Sequence, residues 1–389
     1  MEILSIHNSE NIKDREKIFL IWILATGLAL RIFMCFFSGL PNLHTDTYMY
    51  FDQANAIAKG SYINYAPNGY PFIIALLHII FTGKALIHLL LWLNIILGTI
   101  SIYFTYNISK KLFNNSIAAL LSGAIMCLYP NQLNYTRWLL TEIPSAFFIL
   151  AASNSYLQKR NFLSGILYGI SSIMRPTLFP IWIAMIIFDF ILKKRLPIKL
   201  ILGGAFITLS TCTYSYIKTG EFAIAGNSKV NIIYSIYTFG GNIAWDAPQK
   251  HPEIKTSRDA KIEYFREAIQ HPVYFLKQRI ASLWQLWGPF PSTLGDTRSL
   301  ISRIIIGVEN IFLIITGMYG FYLQRKNKMI VILILPLIII TFIHTMMLSI
   351  ARYTVPMEPF LIIPSGYALF ELWNRTKQKH EKEKITKTI

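Results

Sequence analysis

The sequence predicts an all-α, polytopic integral membrane protein of about ten transmembrane helices, and three observations carry that prediction. Of its 389 residues, 53% are hydrophobic and only 15% charged, whereas a soluble domain carries about a quarter charged residues. Apolar runs close to the roughly 20 residues that cross a hydrocarbon core recur from Ile18 almost to the C-terminus. Open-ended elements other than helices leave backbone groups unsatisfied in lipid, so each long run reads as a helix.

The first expected span, 18–38, follows the charged stretch Lys13 to Lys17 and contains Arg31. Its length and the lack of a small-residue cleavage site argue for a retained span rather than a signal peptide. A first outer loop, about 41–83, separates it from the second span, 85–108. Within that loop, 44–59 places Tyr48, Phe51, Ala54 and Ile57 on one helical face, the pattern of an interfacial helix. The stretch 70–81, after the turn signal Pro67-Asn68-Gly69, predicts a second re-entrant or interfacial helix. Spans 114–130, 138–157, 162–174, 176–192 and 198–217 complete an N-terminal membrane module over 1–217.

A polar segment, 218–298, follows as a non-cytoplasmic helical loop. In it 258–270 and 272–287 predict two amphipathic helices divided at His271-Pro272, with Trp284 and Trp287 suited to a membrane interface. Spans 301–323, 329–350 and 357–373 make up the C-terminal helices of 299–373, and 374–389 is a basic cytoplasmic tail.

The net charge of +17 does not point to nucleic acid, because the basic residues lie between apolar runs and in the tail rather than along one amphipathic face. With a cytoplasmic N-terminus and ten crossings, Lys110-Lys111, Lys159-Arg160, Lys193-Lys194-Arg195, Arg325-Lys326-Lys328 and the tail all fall on the cytoplasmic side. The two polar loops then face the other side of a cell membrane. Cys35, Cys127 and Cys212 each sit inside an apolar run without CxxC spacing and read as small buried side chains. His44, His78, His88 and His344 show no metal spacing, and no metal or other cofactor is assigned, with a divalent ion at Asp46 and Glu142 left as the alternative.

No P-loop, GxSxG, HExxH or Rossmann glycine pattern occurs. The chemical signal is instead a set of ionisable residues where the spans open away from the cytoplasm: Asp46, Asp52, Lys84, Arg137, Glu142, Arg175 and Arg352. Such a set suits transfer of a group from a phosphate-linked lipid. A carboxylate accepts the proton of an incoming hydroxyl while Arg or Lys neutralises the departing phosphate.

The stretches HTDTYMYFDQANAIAKG, YAPNGYPFIIALL, LYPNQLNYTRWLLTEIPSAFF, IMRPTLF and ARYTVPMEPFLII, in that order, resemble the polytopic glycosyltransferases of the clan C fold that use polyprenyl-phosphate sugars. The nearest patterns are those of the protein O-mannosyltransferases and the aminoarabinose lipid A transferases. The resemblance runs over about 18–373. It implies an inverting enzyme with Asp46 as catalytic base, Glu142 as a supporting acid and Arg352-Tyr353 in contact with the donor phosphate; the ionisable set itself adds Asp52 as a second supporting acid and Arg137 and Lys84 as further ligands of the phosphate. Tyr70, Arg175 and Tyr353 complete the substrate pocket on this reading. The implied partners are a polyprenyl-phosphate sugar donor, a lipid, glycan or protein acceptor, and membrane lipids. In the O-mannosyltransferase branch the first-loop acid is followed directly by Glu, and here Thr47 stands in that place.

Each assignment has a structural competitor. Asp46 also suits capping a helix that begins near Thr47, Asp52 a solvated face, Lys84 an interface anchor, and Arg31 snorkelling or pairing within the bundle. A lipid-linked-sugar flippase or secondary transporter is the alternative function, against which stands the gathering of charge at one face instead of the bilayer midplane. A non-catalytic scaffold is the other, and it gives no reason for Asp46, Glu142 and Arg352 to share a depth.

Overall fold

The computed structural model describes residues 2–37, 45–64, 66–240, 242–288 and 300–388. His44, the start of the first outer loop at 41–43, and 289–298 of the larger loop lie outside the described residues. The chain is helical almost throughout, and among the described residues the one pairing of extended type is a bridge between Phe239 and Asn242.

In chain order the membrane module comprises α1 (Glu2–Phe36), α2 (Thr45–Ala58), α3 (Gly69–His78), α4 (Gly83–Phe113), α5 (Ser116–Leu128), α6 (Pro130–Thr136), α7 (Glu142–Leu157), α8 (Asn161–Met174), α9 (Phe179–Lys193) and α10 (Ile198–Thr219). The larger loop carries α11 (Ser228–Tyr237), α12 (Ala247–Lys250), α13 (Ser257–Gln270) and α14 (Pro272–Trp287). After it come α15 (Leu300–Leu323), α16 (Val331–Met346) and α17 (Glu358–Thr388), the last running unbroken across the expected boundary at 373.

Among the described residues, six stretches are long and apolar enough to cross a membrane: Asp14–Phe36, Gly83–Phe113, Pro176–Lys193, Ile198–Thr219, Ile304–Leu323 and Lys328–Met346. The pair α5 and α6, bent by 49°, makes a seventh if counted as one span. The remaining expected ranges, 138–157, 162–174 and 357–373, fall on α7, α8 and α17, which are shorter or more polar. The 14 residues of α8 rise about 21 Å, short of a hydrocarbon core of about 30 Å.

The bend between α5 and α6 has a cause in the sequence. Pro130 has no N–H to give to the Met126 carbonyl four residues earlier, so the ladder breaks there. Arg31 of α1, fully buried rather than snorkelling, points its Nη2 at that carbonyl from 3.5 Å and donates Nη1 to the Gly27 carbonyl at 3.1 Å. Helices α8 and α10 pack closely because small residues face each other. A Cβ on Gly165 would lie 2.3 Å from the Leu200 carbonyl oxygen, and one on Gly203 2.3 Å from that of Phe162.

The two ends of the bundle differ in charge. At one end Lys110 pairs with Glu16 at 2.5 Å, Asn327 donates to the Leu112 carbonyl at 2.9 Å, and Lys193 pairs with Asp189 at 2.5 Å. The basic loops cluster there. Helix α7 runs from Glu142 toward that end and α8 returns from it to Arg175, so both of these residues stand at the opposite end, beside α2 and α3.

Candidate active site

Helix α2 begins at Thr45, which puts Asp46 in its first turn rather than at the cap. The Thr47 hydroxyl donates to the Leu139 carbonyl at 3.2 Å and ties this turn to the segment leading into α7, whose first residue is Glu142. The buried side of α2 is Thr47, Tyr50, Gln53 and Ala54. The expected face is therefore rotated: Tyr48 is 57% exposed, because the helix turns polar groups inward to partners in the loop and leaves an aromatic ring at the outside. Gln53 bonds both to Asn68, at 2.6 Å, and to the backbone of Ala66, while Asn68 donates to the Ile224 carbonyl at 2.9 Å. These bonds fold 61–68 back under α2 and aim α3.

Arg175 is placed by two local rules. It precedes Pro176, which disfavours helical ψ, and its backbone is extended (φ −143°, ψ 108°). Gly69 at the start of α3 fits against Ile173 and Met174, where a Cβ would come within 2.8 Å of the Met174 nitrogen. Tyr70, the next residue, faces Tyr50 and lies within electrostatic reach of Glu142. Arg352 and Tyr353 lie in a single 3-10 turn, Ala351–Thr354, between α16 and α17.

These elements assemble two acids and two arginines. Arg352 Nη2 donates to Asp46 Oδ2 at 2.5 Å, and its Nε lies 3.7 Å from Glu142 Oε1, which is also 3.3 Å from Arg175 Nη1. Both guanidinium groups lie over the Tyr353 ring, Arg175 at 4.9 Å and Arg352 at 5.7 Å from its centroid. The His344 ring packs against the far side of the cluster, 4.4 Å from that of Tyr353. Exposure is graded: the Glu142 side chain is 4% exposed, Arg352 11% and Asp46 33%. Asp46 is thus the member an approaching molecule meets first.

Burial works against the charge on Arg352, but Glu142 and Asp46 beside it hold its pKa well above the ordinary arginine value. Burial likewise pushes the Tyr353, Tyr50 and Tyr70 hydroxyls up, with the neighbouring carboxylates adding to the effect. All three stay protonated donors across the physiological range. Among the described residues, Glu142 Oε2 and the Tyr70 hydroxyl are buried without a hydrogen-bond partner.

Of the residues singled out in the sequence, Asp46, Glu142, Arg175, Arg352 and Tyr353 meet, with Tyr70 at the edge of the group. Asp52 is exposed on α2 and Lys84 is exposed at the start of α4, which leaves both outside the ion-paired set. Arg137 donates to Asn134 at 3.2 Å and lies near Cys35 at the end of α1. Two neighbours carry no sequence assignment: Tyr50, one turn after Asp46 on the same face and edge-on to Tyr70 at 5.5 Å, and His344. The spacing from Asp46 was the available signal for Tyr50. Among the described residues no three His, Cys, Asp or Glu side chains come together as a ligand set.

A polytopic helical bundle with a juxtamembrane helix pair and a charged cluster at one end defines the class: the chain has the clan C glycosyltransferase fold. It is similar to the crystal structure of the Archaeoglobus fulgidus oligosaccharyltransferase tethered with an acceptor peptide containing the NVT sequon, with a TM-score of 0.57 and 14% identity over 92% of this chain and 50% of that one. The oligosaccharyltransferase AglB from the same organism, in complex with an inhibitory peptide and a dolichol-phosphate, matches with a TM-score of 0.53 and 15% identity over 95% of this chain and 52% of that one. The chain spans about half the length of the solved structures it matches. No family model and no curated protein matches the sequence.

Proposed function

We propose that the protein is an inverting glycosyltransferase that moves a sugar from a polyprenyl-phosphate donor to a lipid, glycan or protein acceptor at the non-cytoplasmic face of a cell membrane. The observation that carries this reading is the Asp46–Arg352 pair, backed by Glu142 and Arg175, at the end of the bundle away from the basic loops. The dolichol-phosphate held by the archaeal oligosaccharyltransferase supports a lipid phosphate as the donor's leaving group on this fold.

The chemistry needs a base and an anion site. The acceptor hydroxyl gives its proton to the Asp46 carboxylate as its oxygen attacks the anomeric carbon from the face opposite the phosphate. The bond from that carbon to the phosphate oxygen breaks, and the electron pair leaves on the phosphate, next to Arg352. A guanidinium offers a planar fork for two phosphate oxygens. Two carboxylates and two arginines make the unliganded cluster neutral, so an arriving phosphate competes with Asp46 for Arg352. Winning that competition frees the carboxylate to act as base. Glu142 Oε2 and the Tyr70 hydroxyl retain hydrogen-bonding capacity, which suits them to hold sugar hydroxyls.

The test is Asp46→Asn, purified, reconstituted and offered a panel of radiolabelled polyprenyl-phosphate hexoses and pentoses. Transfer is expected to fall by about 10²–10⁴-fold, the usual worth of a general base, with thermal unfolding of the variant unchanged. Wild-type turnover in the folded variant would remove Asp46 from the mechanism.

A further inference from the structure

Helix α14 is built inside out. Its buried side is Gln278, Arg279, Ser282 and Gln285, while Leu276, Ile280, Leu283 and Trp284 form an exposed apolar stripe. A helix on a solvated loop has the reverse pattern. The inward polar groups have work to do: Arg279 donates to the Met346 carbonyl at 2.5 Å and to that of Ser235 at 2.7 Å, and the Ser349 hydroxyl donates to the Ser282 carbonyl at 2.7 Å. These bonds hold the end of α16 and the strand of chain that leads to Arg352.

The depth of α14 is fixed by its far end. Trp287 Nε1 donates to the Thr341 hydroxyl at 2.8 Å. Thr341 lies five residues below Met346, the end of the apolar span Lys328–Met346, or about 7 Å along the helix axis. The Trp287 ring packs against the cores formed by the spans, alongside Leu337. The apolar stripe of α14 therefore continues the outward surface of α16, where Ile338 and Phe342 are exposed.

We infer that α14 is a re-entrant helix whose apolar stripe contacts the acyl chains of bilayer lipid, in the leaflet on the side of the charged cluster. Exposed Lys277, the residue after Leu276 on α14, sits beside this stripe and complements anionic headgroups at the level where it enters. The inference stands on the membrane fold and is independent of the transferase reading, so each can fail while the other stands.

The experiment places a bimane label on Ile280→Cys, or on Leu276→Cys as a second position, in the full-length protein. The three native cysteines are buried, and labelled wild type supplies the background. Vesicles of phosphatidylethanolamine and phosphatidylglycerol carry doxyl-labelled phosphatidylcholine. Bimane at 280 or 276 is expected to be quenched by the doxyl lipid at least half as strongly as bimane at Phe342→Cys on α16, and to be shielded from aqueous iodide. Lys255→Cys, exposed on the same loop, is the aqueous reference and shows the opposite response. Iodide quenching at 280 and 276 equal to that at 255 would overturn the inference. So would loss of the doxyl quenching when stoichiometric polyprenyl phosphate is added, since an isoprenoid without a quencher would then be the occupant and not the bilayer.

Discussion

The competition for Arg352 separates binding from turnover at single residues. Removing the charge of Asp46 takes away a rival for the guanidinium, so Asp46→Asn is expected to bind polyprenyl phosphate as tightly as wild type or several-fold more tightly, while transfer collapses. Arg352→Gln is expected to lose phosphate-dependent thermal stabilisation altogether, and Arg352→Lys to restore only part of it, because a point charge replaces a two-pronged contact. Binding measured with labelled polyprenyl phosphate in detergent checks all three; weaker binding by Asp46→Asn would mean that the acid helps to hold the donor. A different signature is expected of Arg175, which rests on the Tyr353 ring and on Glu142. Arg175→Met leaves the buried Glu142 carboxylate with the longer 3.7 Å contact to Arg352, a weakening that costs up to about 3–5 kcal/mol, the cost of losing one member of a buried pair outright, so its loss of activity comes with a lowered unfolding temperature. Adding Glu142→Gln to that variant is expected to restore much of the stability without restoring the activity. Of this site, Asp46, Glu142 and Arg352 were legible in the sequence, since ionisable groups at the edges of apolar runs stand out. Their pairing was not, because Asp46 and Arg352 are 306 positions apart and local spacing says nothing about which cation closes on which acid.

At the scale of elements, hydropathy locates the long helices well, and the turn chemistry at Pro67 and His271-Pro272 locates α3 and α14. It fails where membrane packing overrides the amphipathic pattern. Phe51 and Tyr48 rank above Thr47 and Gln53 on any apolar scale, yet α2 buries the latter pair, and α14 buries Arg279 while exposing Ile280. In both helices the inward polar groups satisfy backbone carbonyls, and the apolar groups lose nothing by facing lipid. The short helix α6 is another miss: the expected span 114–130 ends where α6 begins and leaves the residues before 138 as a turn, for which Pro130 at a first helical position was the signal. The contact of α8 with α10 supplies a test of how elements carry the site. Gly165→Leu drives a side chain into the α10 backbone, where overpacking costs about 1–3 kcal/mol or more. Since α8 ends at Arg175, the variant is expected to unfold at a lower temperature and to lose activity in proportion. Normal activity in a Gly165→Leu protein would show that the end of α8 is held independently of α10.

The whole molecule is polar along its length, with basic loops at one end and the neutral four-charge cluster at the other. Positive loops tend to stay cytoplasmic because moving Lys and Arg across the membrane is costly, and the proposed non-cytoplasmic face of the cluster rests on that tendency. On the proposed function, that orientation decides which donors the protein meets, because a polyprenyl-phosphate sugar would have to be turned over to the non-cytoplasmic leaflet before Asp46 and Arg352 could act on it. The buried native cysteines permit a direct measurement. Lys218→Cys sits at the exposed end of α10 on the side of the cluster, and Lys326→Cys in the loop before α16 at the basic end. In intact cells a membrane-impermeant maleimide is expected to modify position 218 and to reach position 326 only after the membrane is permeabilised. The reverse labelling would put the cluster in the cytoplasm, where it would draw on the leaflet in which such donors are made and the non-cytoplasmic assignment would fall, while the Asp46–Arg352 chemistry would remain open to the transfer assay.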